Sequence, residues 1–193
     1  MNSISVDETS FSITDFKRYG YSKKGTEIKT INNVSRKHKP NKDTRYSALT
    51  AISKQKIIGY EIVKGGVNKD IYLNFFKQHL NAFTNHTIIQ DNVRFHHSKV
   101  VKDYASENKI KMNYIPTYSP EFNPIELIFS KVKTVFRQLD HNDLCNDIKT
   151  AFNSITDENL GKCYEHTFKE IKKYKKIPLI WSRKPLFLPN SDS

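Results

Sequence analysis

The chain has 193 residues, enough for one domain with a sizeable core, and its 37% hydrophobic and 12% aromatic content exclude a disordered chain. Lys and Arg number 32 against 20 Asp and Glu, and this net charge of +12 points either to a polyanionic partner, most commonly nucleic acid, or to a surface kept soluble by lysines. Cys145 and Cys163 stand in no CxxC pattern and no apolar run can span a bilayer, which excludes a disulfide framework, a zinc site and a membrane span.

No signal peptide precedes the first structured residues, so an intracellular protein is expected, in the cytoplasm or nucleoid of a prokaryote or the nucleus of a eukaryote. "SISVDETSF" (3–11) alternates early, with Ile4 and Val6 on one face, and predicts a strand carrying Asp7 near its end. Residues 17–45 hold ten Lys or Arg against two acids, a turn-rich basic segment with one irregular strand expected around 27–32. "YSALTAISKQKIIGYEIVKGG" (46–66) predicts a β-hairpin turning at 53–56. From Asn68, an N-cap, the period changes, and Tyr72, Phe75, Phe76, Leu80 and Phe83 fall at helical spacing. "HTIIQD" (86–91) predicts a buried strand ending in an acid, residues 97–108 a helix, residues 110–116 a further strand and residues 123–138 a helix. Residues 140–176 read as mostly helical, before a tail with Trp181 among prolines and aliphatics. Hairpin strands followed by βαβ units predict an α/β fold, a mixed sheet with helices on its faces.

Three acids stand out. Asp91 closes a buried strand, the edge where open α/β sheets place ligands, and an isolated carboxylate there is costly unless neutralised. A divalent cation with oxygen ligands would neutralise it; an Asx-turn from Asp91 and Asn92 into the next helix is the structural alternative. Glu126 falls at the third position of a helix entered by Asn123 and Pro124, so "NPIE" also reads as a capping box, and the helix dipole favours an acid there. Ile125, Ile128, Phe129, Val132 and Phe136 form the buried stripe of that helix. Glu126, Ser130, Lys133 and Arg137 share another face, one acid followed by two cations, which suits a metal-bound phosphate with further phosphates beyond or an ordinary solvated face.

These residues match a known family. "VDETSF" around Asp7, "IIQDNVRFHHS" around Asp91 and "IPTYSPEFNPIELIFSKVK" around Glu126 resemble the catalytic domain of DDE transposases of the mariner type and their bacterial insertion-sequence relatives. Thirty-four residues separate Asp91 from Glu126, similar to the spacing typical of that family, and "YGYSKKG" (19–25) resembles its aromatic and glycine segment. The similarity covers about residues 2–138.

The resemblance implies an RNase H-like mixed sheet flanked by helices, with residues 1–138 as the catalytic unit and 139–193 as a helical extension with a basic tail. It also implies Asp7, Asp91 and Glu126 as the catalytic, metal-binding triad of a Mg²⁺-dependent endonuclease, with two ions and Mn²⁺ as a substitute. Expected partners are DNA, both transposon ends and target, and further copies in a homodimer or larger synaptic assembly. Asn92 and His97 match the motif as candidate DNA contacts, together with Lys133 and Arg137; His96 is a weaker candidate, and Glu8, pointing to the opposite face of its strand, reads as structural. Met1 lies six positions before Asp7, so the N-terminal helix-turn-helix region of complete members is expected to come from an upstream reading frame. A truncated remnant and a domesticated nuclease are the other origins that fit. Two functional alternatives stand beside transposition: a non-catalytic DNA-binding remnant and a stand-alone RNase H-like nuclease.

Overall fold

Ile4, Val6, Thr9 and Phe11 favour a strand over Ser3–Ser12 (β1), and its first five residues are all buried, so both faces are covered there. A computed structural model describes residues 3–12, 45–84, 86–139 and 141–176. The basic stretch of 17–44, with its expected strand around 27–32 and the 19–25 segment, and the tail with Trp181 lie outside the described residues.

Arg45–Ser53 (β2) and Ile57–Lys64 (β3) form the expected hairpin. The Ser53 N–H donates to the Lys56 carbonyl at 2.9 Å while the Ser53 hydroxyl accepts from the Lys56 N–H at 3.1 Å. Thr87–Gln90 (β4) and Lys111–Tyr114 (β5) complete a five-stranded sheet of order β3-β2-β1-β4-β5. β2 runs antiparallel to β1 and β3, whereas β4 is parallel to β1 and β5. The sheet is mixed, as the order of elements predicts.

Lys69–Phe75 (α1) starts at Asn68, whose side chain accepts from the N–H groups of Asp70 and Ile71. A π-helical turn, Phe76–Leu80, prolongs it and keeps Tyr72, Phe75, Phe76 and Leu80 inside. The helix expected from residue 97 begins instead at Lys99 and runs to Glu107 (α2), because Ser98 is extended (ψ 145°) and a 3-10 turn, Arg94–His97, precedes it. Pro124–Phe136 (α3), Leu144–Asn153 (α4) and Asp157–Lys176 (α5) follow. Among the described residues no helix is long and apolar enough to cross a membrane.

The alternation of the strands divides the core in two. Ile4, Val6, Leu49, Ala51 and Ile88 pack against α1 and α2. Phe11, Ala48 and Ile52 pack on the other face against α3, α4 and α5. Tyr164 of α5 reaches through that second core to the strands. Its hydroxyl accepts from the Ser5 N–H at 3.1 Å and donates to the Ile52 carbonyl at 2.9 Å, satisfying two buried backbone groups. Burial pushes its ionisation well above the usual tyrosine range, so it stays a neutral donor.

Tyr164→Phe leaves the Ser5 N–H without its acceptor, and a loss of about 1–3 kcal/mol is expected, read by urea unfolding.

Candidate active site

The parallel pairing of β1 with β4 sets Ser5 opposite Ile89. Continuing that register by two residues brings Asp7 beside Asp91, the first residue after β4. Helix α3 arrives from the other side with Glu126 in its first turn. A cleft of about 400 Å³ is lined by Asp7, Glu8, Asp91, Asn92, Glu126 and the loop 115–120. All three acids singled out in the sequence therefore line one cavity: Asp7 from the middle of β1 rather than near its end, Asp91 just past β4 and Glu126 from the first turn of α3.

Asp7 is the most buried of them, 7% exposed. Its Oδ1 accepts from the Glu8 N–H at 2.8 Å and its Oδ2 from Asn123 Nδ2 at 2.9 Å. Asn123 in turn accepts from the Ser5 hydroxyl. This corrects the capping-box reading: Asn123 holds the N-cap position, but its side chain makes no cap hydrogen bond and is spent on Asp7 and Ser5. Pro124 at the first helical position has no N–H to satisfy, which lowers the demand for a cap.

Burial, then the charges of Glu8 and Asp91, push the Asp7 carboxyl up to about 8 despite the backbone hydrogen bond that opposes them. Glu126 stands more exposed at the rim. Desolvation raises its carboxyl, Lys133 two turns along the helix works against that, and Asp91 and Glu8 add to it. Asp91 Oδ1 accepts from the Val93 N–H at 3.3 Å, so the Asx-turn exists together with the cleft position.

His96 is fully buried behind Asp91, with Nδ1 2.7 Å from Asp91 Oδ1 and Nε2 3.6 Å from Glu8 Oε2. Burial works against its charge, but contacts with Asp91 and Glu8 outweigh burial and raise its pKa to about 9. His97, favoured in the sequence, is the outer of the pair: it stacks on Tyr114 and contacts Asn92. Burial, Lys102 and His96 lower its pKa. Asn92 lines the cleft, Lys133 lies along α3 from Glu126, and Arg137, at the end of α3, is roughly 16 Å farther from Glu126 along the helix axis. Tyr118 at the cleft mouth is almost wholly exposed and held at φ 60°, a strained backbone for a residue this bulky.

Sequence reasoning undervalued Glu8, His96 and Asn123. Glu8 alternates with Asp7 in mid-strand, yet it also lines the cleft, because the pairing of β1 with β4 ends at Ser5 and leaves that edge open. The paired histidines 96 and 97 were the available signal; which of them turns inward is decided by the 3-10 turn.

Among the described residues, no three His, Cys, Asp or Glu side chains stand ready-assembled around a metal position. Hydrogen bonds from Asn123, Glu8 and His96 occupy the carboxylate oxygens instead. The donor set nevertheless suits a hard cation: four carboxylates border one cavity, and burial together with the charges of Glu8 and Asp91 raises Asp7.

A mixed sheet with helices on both faces, one acid on its central strand and a second just past the neighbouring strand, matches an RNase H-like fold. A model of the DDE superfamily endonucleases matches residues 2–146, and the chain belongs to that family. Among solved structures, the Mos1 transposase paired-end complex with left transposon end is similar at 15% identity and a TM-score of 0.72, over 89% of this chain and 54% of that one. The Mos1 strand transfer complex matches at 16% identity and a TM-score of 0.69, over 91% and 53%. The Mos1 catalytic domain alone, solved with raltegravir and Mg, matches at 13% identity and a TM-score of 0.65, over 91% and 81%. The chain thus spans about half the length of the transposases in those DNA complexes. Among curated proteins none matches this sequence.

Raised pKa values on Asp7 and His96 make the metal-free protein less stable as pH rises. Asp7 holds a proton in the folded state that the unfolded chain loses near 3.8, so its contribution is complete below about 4 and gone above about 8. The His96 contribution is complete below 6.5 and lost through about 9. Urea unfolding in EDTA should show stability falling by on the order of a few kcal/mol between those limits. Asp7→Asn should flatten the acid-side part of the decline.

Proposed function

We propose that this chain is the catalytic domain of a transposase that cleaves DNA strands and transfers them to a target. The convergence of Asp7, Asp91 and Glu126 on one cleft carries this reading, in a chain that belongs to the DDE superfamily endonucleases. Residues 1–138 are the catalytic unit, and 139–193 extend the same domain.

Three carboxylates used as metal ligands require no nucleophilic side chain, which fits phosphoryl transfer by water or a DNA 3′-hydroxyl. Asp7 would hold two Mg²⁺ or Mn²⁺ ions in common, Asp91 and Glu126 one each, and the ions would supply Lewis-acid activation of the nucleophile and stabilisation of the leaving oxygen. Solution of the similar Mos1 catalytic domain with Mg and with Mn supports this ion choice. Asn123 and the Glu8 N–H orient Asp7, and the cleft admits a backbone phosphate between α3 and the loop 115–120. Asn92 and His97 border the path of the strand at one end. Lys133 and Arg137 continue it along α3 as phosphate contacts, consistent with the net charge of +12. DNA partners, both transposon ends and target, and a homodimer or larger synaptic assembly are supported by the similarity to Mos1 paired-end and strand transfer complexes. End recognition would come from a helix-turn-helix region encoded upstream.

The test is nicking of supercoiled plasmid at low salt with Mn²⁺ or Mg²⁺. Wild type is expected to nick, while Asp7→Ala, Asp91→Ala and Glu126→Ala fall to background. Salt-sensitive DNA binding with no nicking under either ion would support the non-catalytic remnant instead. Preference for RNA–DNA hybrid over duplex would support a stand-alone RNase H-like nuclease.

In DNA binding titrated against salt, Lys133→Ala and Arg137→Ala should each reduce the slope of log affinity against log salt by about one.

A further inference from the structure

The three acids leave one part of the site without a role. Glu8 and His96 are titratable, close to the cleft and not needed as ligands. The His96 ring is fully buried, clamped between Tyr72 (centroids 4.3 Å, stacked) and Phe95 (4.4 Å, edge-on). Its backbone carbonyl accepts from the Tyr114 hydroxyl at 3.3 Å. A ring held this way cannot swing into the cleft to act on a substrate. Its two nitrogens point along one line instead: Nδ1 to Asp91 Oδ1 at 2.7 Å, Nε2 to Glu8 Oε2 at 3.6 Å. Nε2 and Oε2 are both buried, and neither has another hydrogen-bond partner. A buried polar atom aimed at one neighbour and satisfied by nothing else marks a relationship that the fold maintains at a cost.

We infer that His96 is a positioning residue that fixes the Asp91 carboxylate, and that Glu8 acts through it by holding the ring in register. This rests on the reading of Asp91 as a metal ligand. The ring and the Val93 N–H both take Oδ1, which leaves Oδ2 of this cleft-lining residue for a cation. Glu8 therefore completes a line from β1 through the 3-10 turn to the end of β4, coupling the orientation of the second acid to the strand that carries the first. Partners of metal-ligating carboxylates matter to affinity almost as the ligands do, with losses of 10–100-fold on removal.

The experiment is Mn²⁺ binding to the whole chain without DNA, followed by electron paramagnetic resonance of free Mn²⁺, with thermal unfolding of every variant in EDTA alongside. Asp91→Ala tests the underlying reading: binding as tight as wild type would overturn both it and this inference. With Asp91→Ala weakened, His96→Ala is expected to raise the Mn²⁺ Kd by 10–100-fold. His96→Asn, which keeps a donor at the Nδ1 position, should restore most of the affinity. Glu8→Gln should weaken binding in the wild-type background and change nothing further in His96→Asn, the non-additivity expected of residues acting in series. If His96→Ala does not fold, Glu8→Gln at the cleft edge carries the test alone. A stability loss in His96→Ala or Glu8→Gln with an unchanged Mn²⁺ Kd would reduce the pair to a packing role and overturn the inference.

Discussion

Asn123 is the joint on which this architecture turns. One amide, 1% exposed, donates to the Asp7 carboxylate and accepts from the Ser5 hydroxyl, so the start of α3 is tied to the central strand at the point where the chemistry is expected. The position of Glu126 follows, three residues into a helix whose origin is pinned, and so does the direction of Lys133. An asparagine that capped its own helix would leave Asp7 with one hydrogen bond instead of two, in a place where burial already penalises its charge. The fold gives up a local cap to fix a long-range geometry.

The cost of that geometry is electrostatic. Glu8, Asp91 and Glu126 all raise the Asp7 carboxyl, and among the described residues His96 and Lys133 set positive charge against this cluster. Such an arrangement is poorly suited to stability on its own and well suited to binding cations, since the repulsion that destabilises the empty cluster is relieved on occupancy. Stability and site chemistry are thus opposed within one cluster, and the two apolar cores, one on each face of the sheet, hold the carboxylates in place against their own repulsion.

Much of this was legible from residue order. Alternation in 3–11, the polar turn at 53–56 and helical spacing after Asn68 are local signals, and the strands and helices they predict are present. The three acids were legible because the motifs around them are distinctive. What escaped the sequence depends on which way a side chain turns. Asn123 has the composition of a cap, and nothing nearby in the chain reveals an aspartate 116 positions away. His96 and His97 are equivalent as letters; the 3-10 turn sends one into the core and the other onto Tyr114. Glu8 faces away from Asp7 in the pleat and still reaches the cavity, since β4 pairs with β1 only as far as Ser5 and leaves the edge beside Glu8 open.

The hydrogen bonds of Tyr164 have a further meaning when the chain is made rather than finished. β1 leaves the ribosome well before its partners: the hydroxyl that satisfies its Ser5 N–H lies 159 residues later, and the amide that holds Asp7 lies 116 residues later. Contacts this distant in sequence form late and slowly. A nascent chain therefore carries Asp7 without the partners that aim it until those later segments have emerged. The cleft of Asp7, Asp91 and Glu126 takes its geometry only when α3 and α5 have emerged, so partial products of translation lack it.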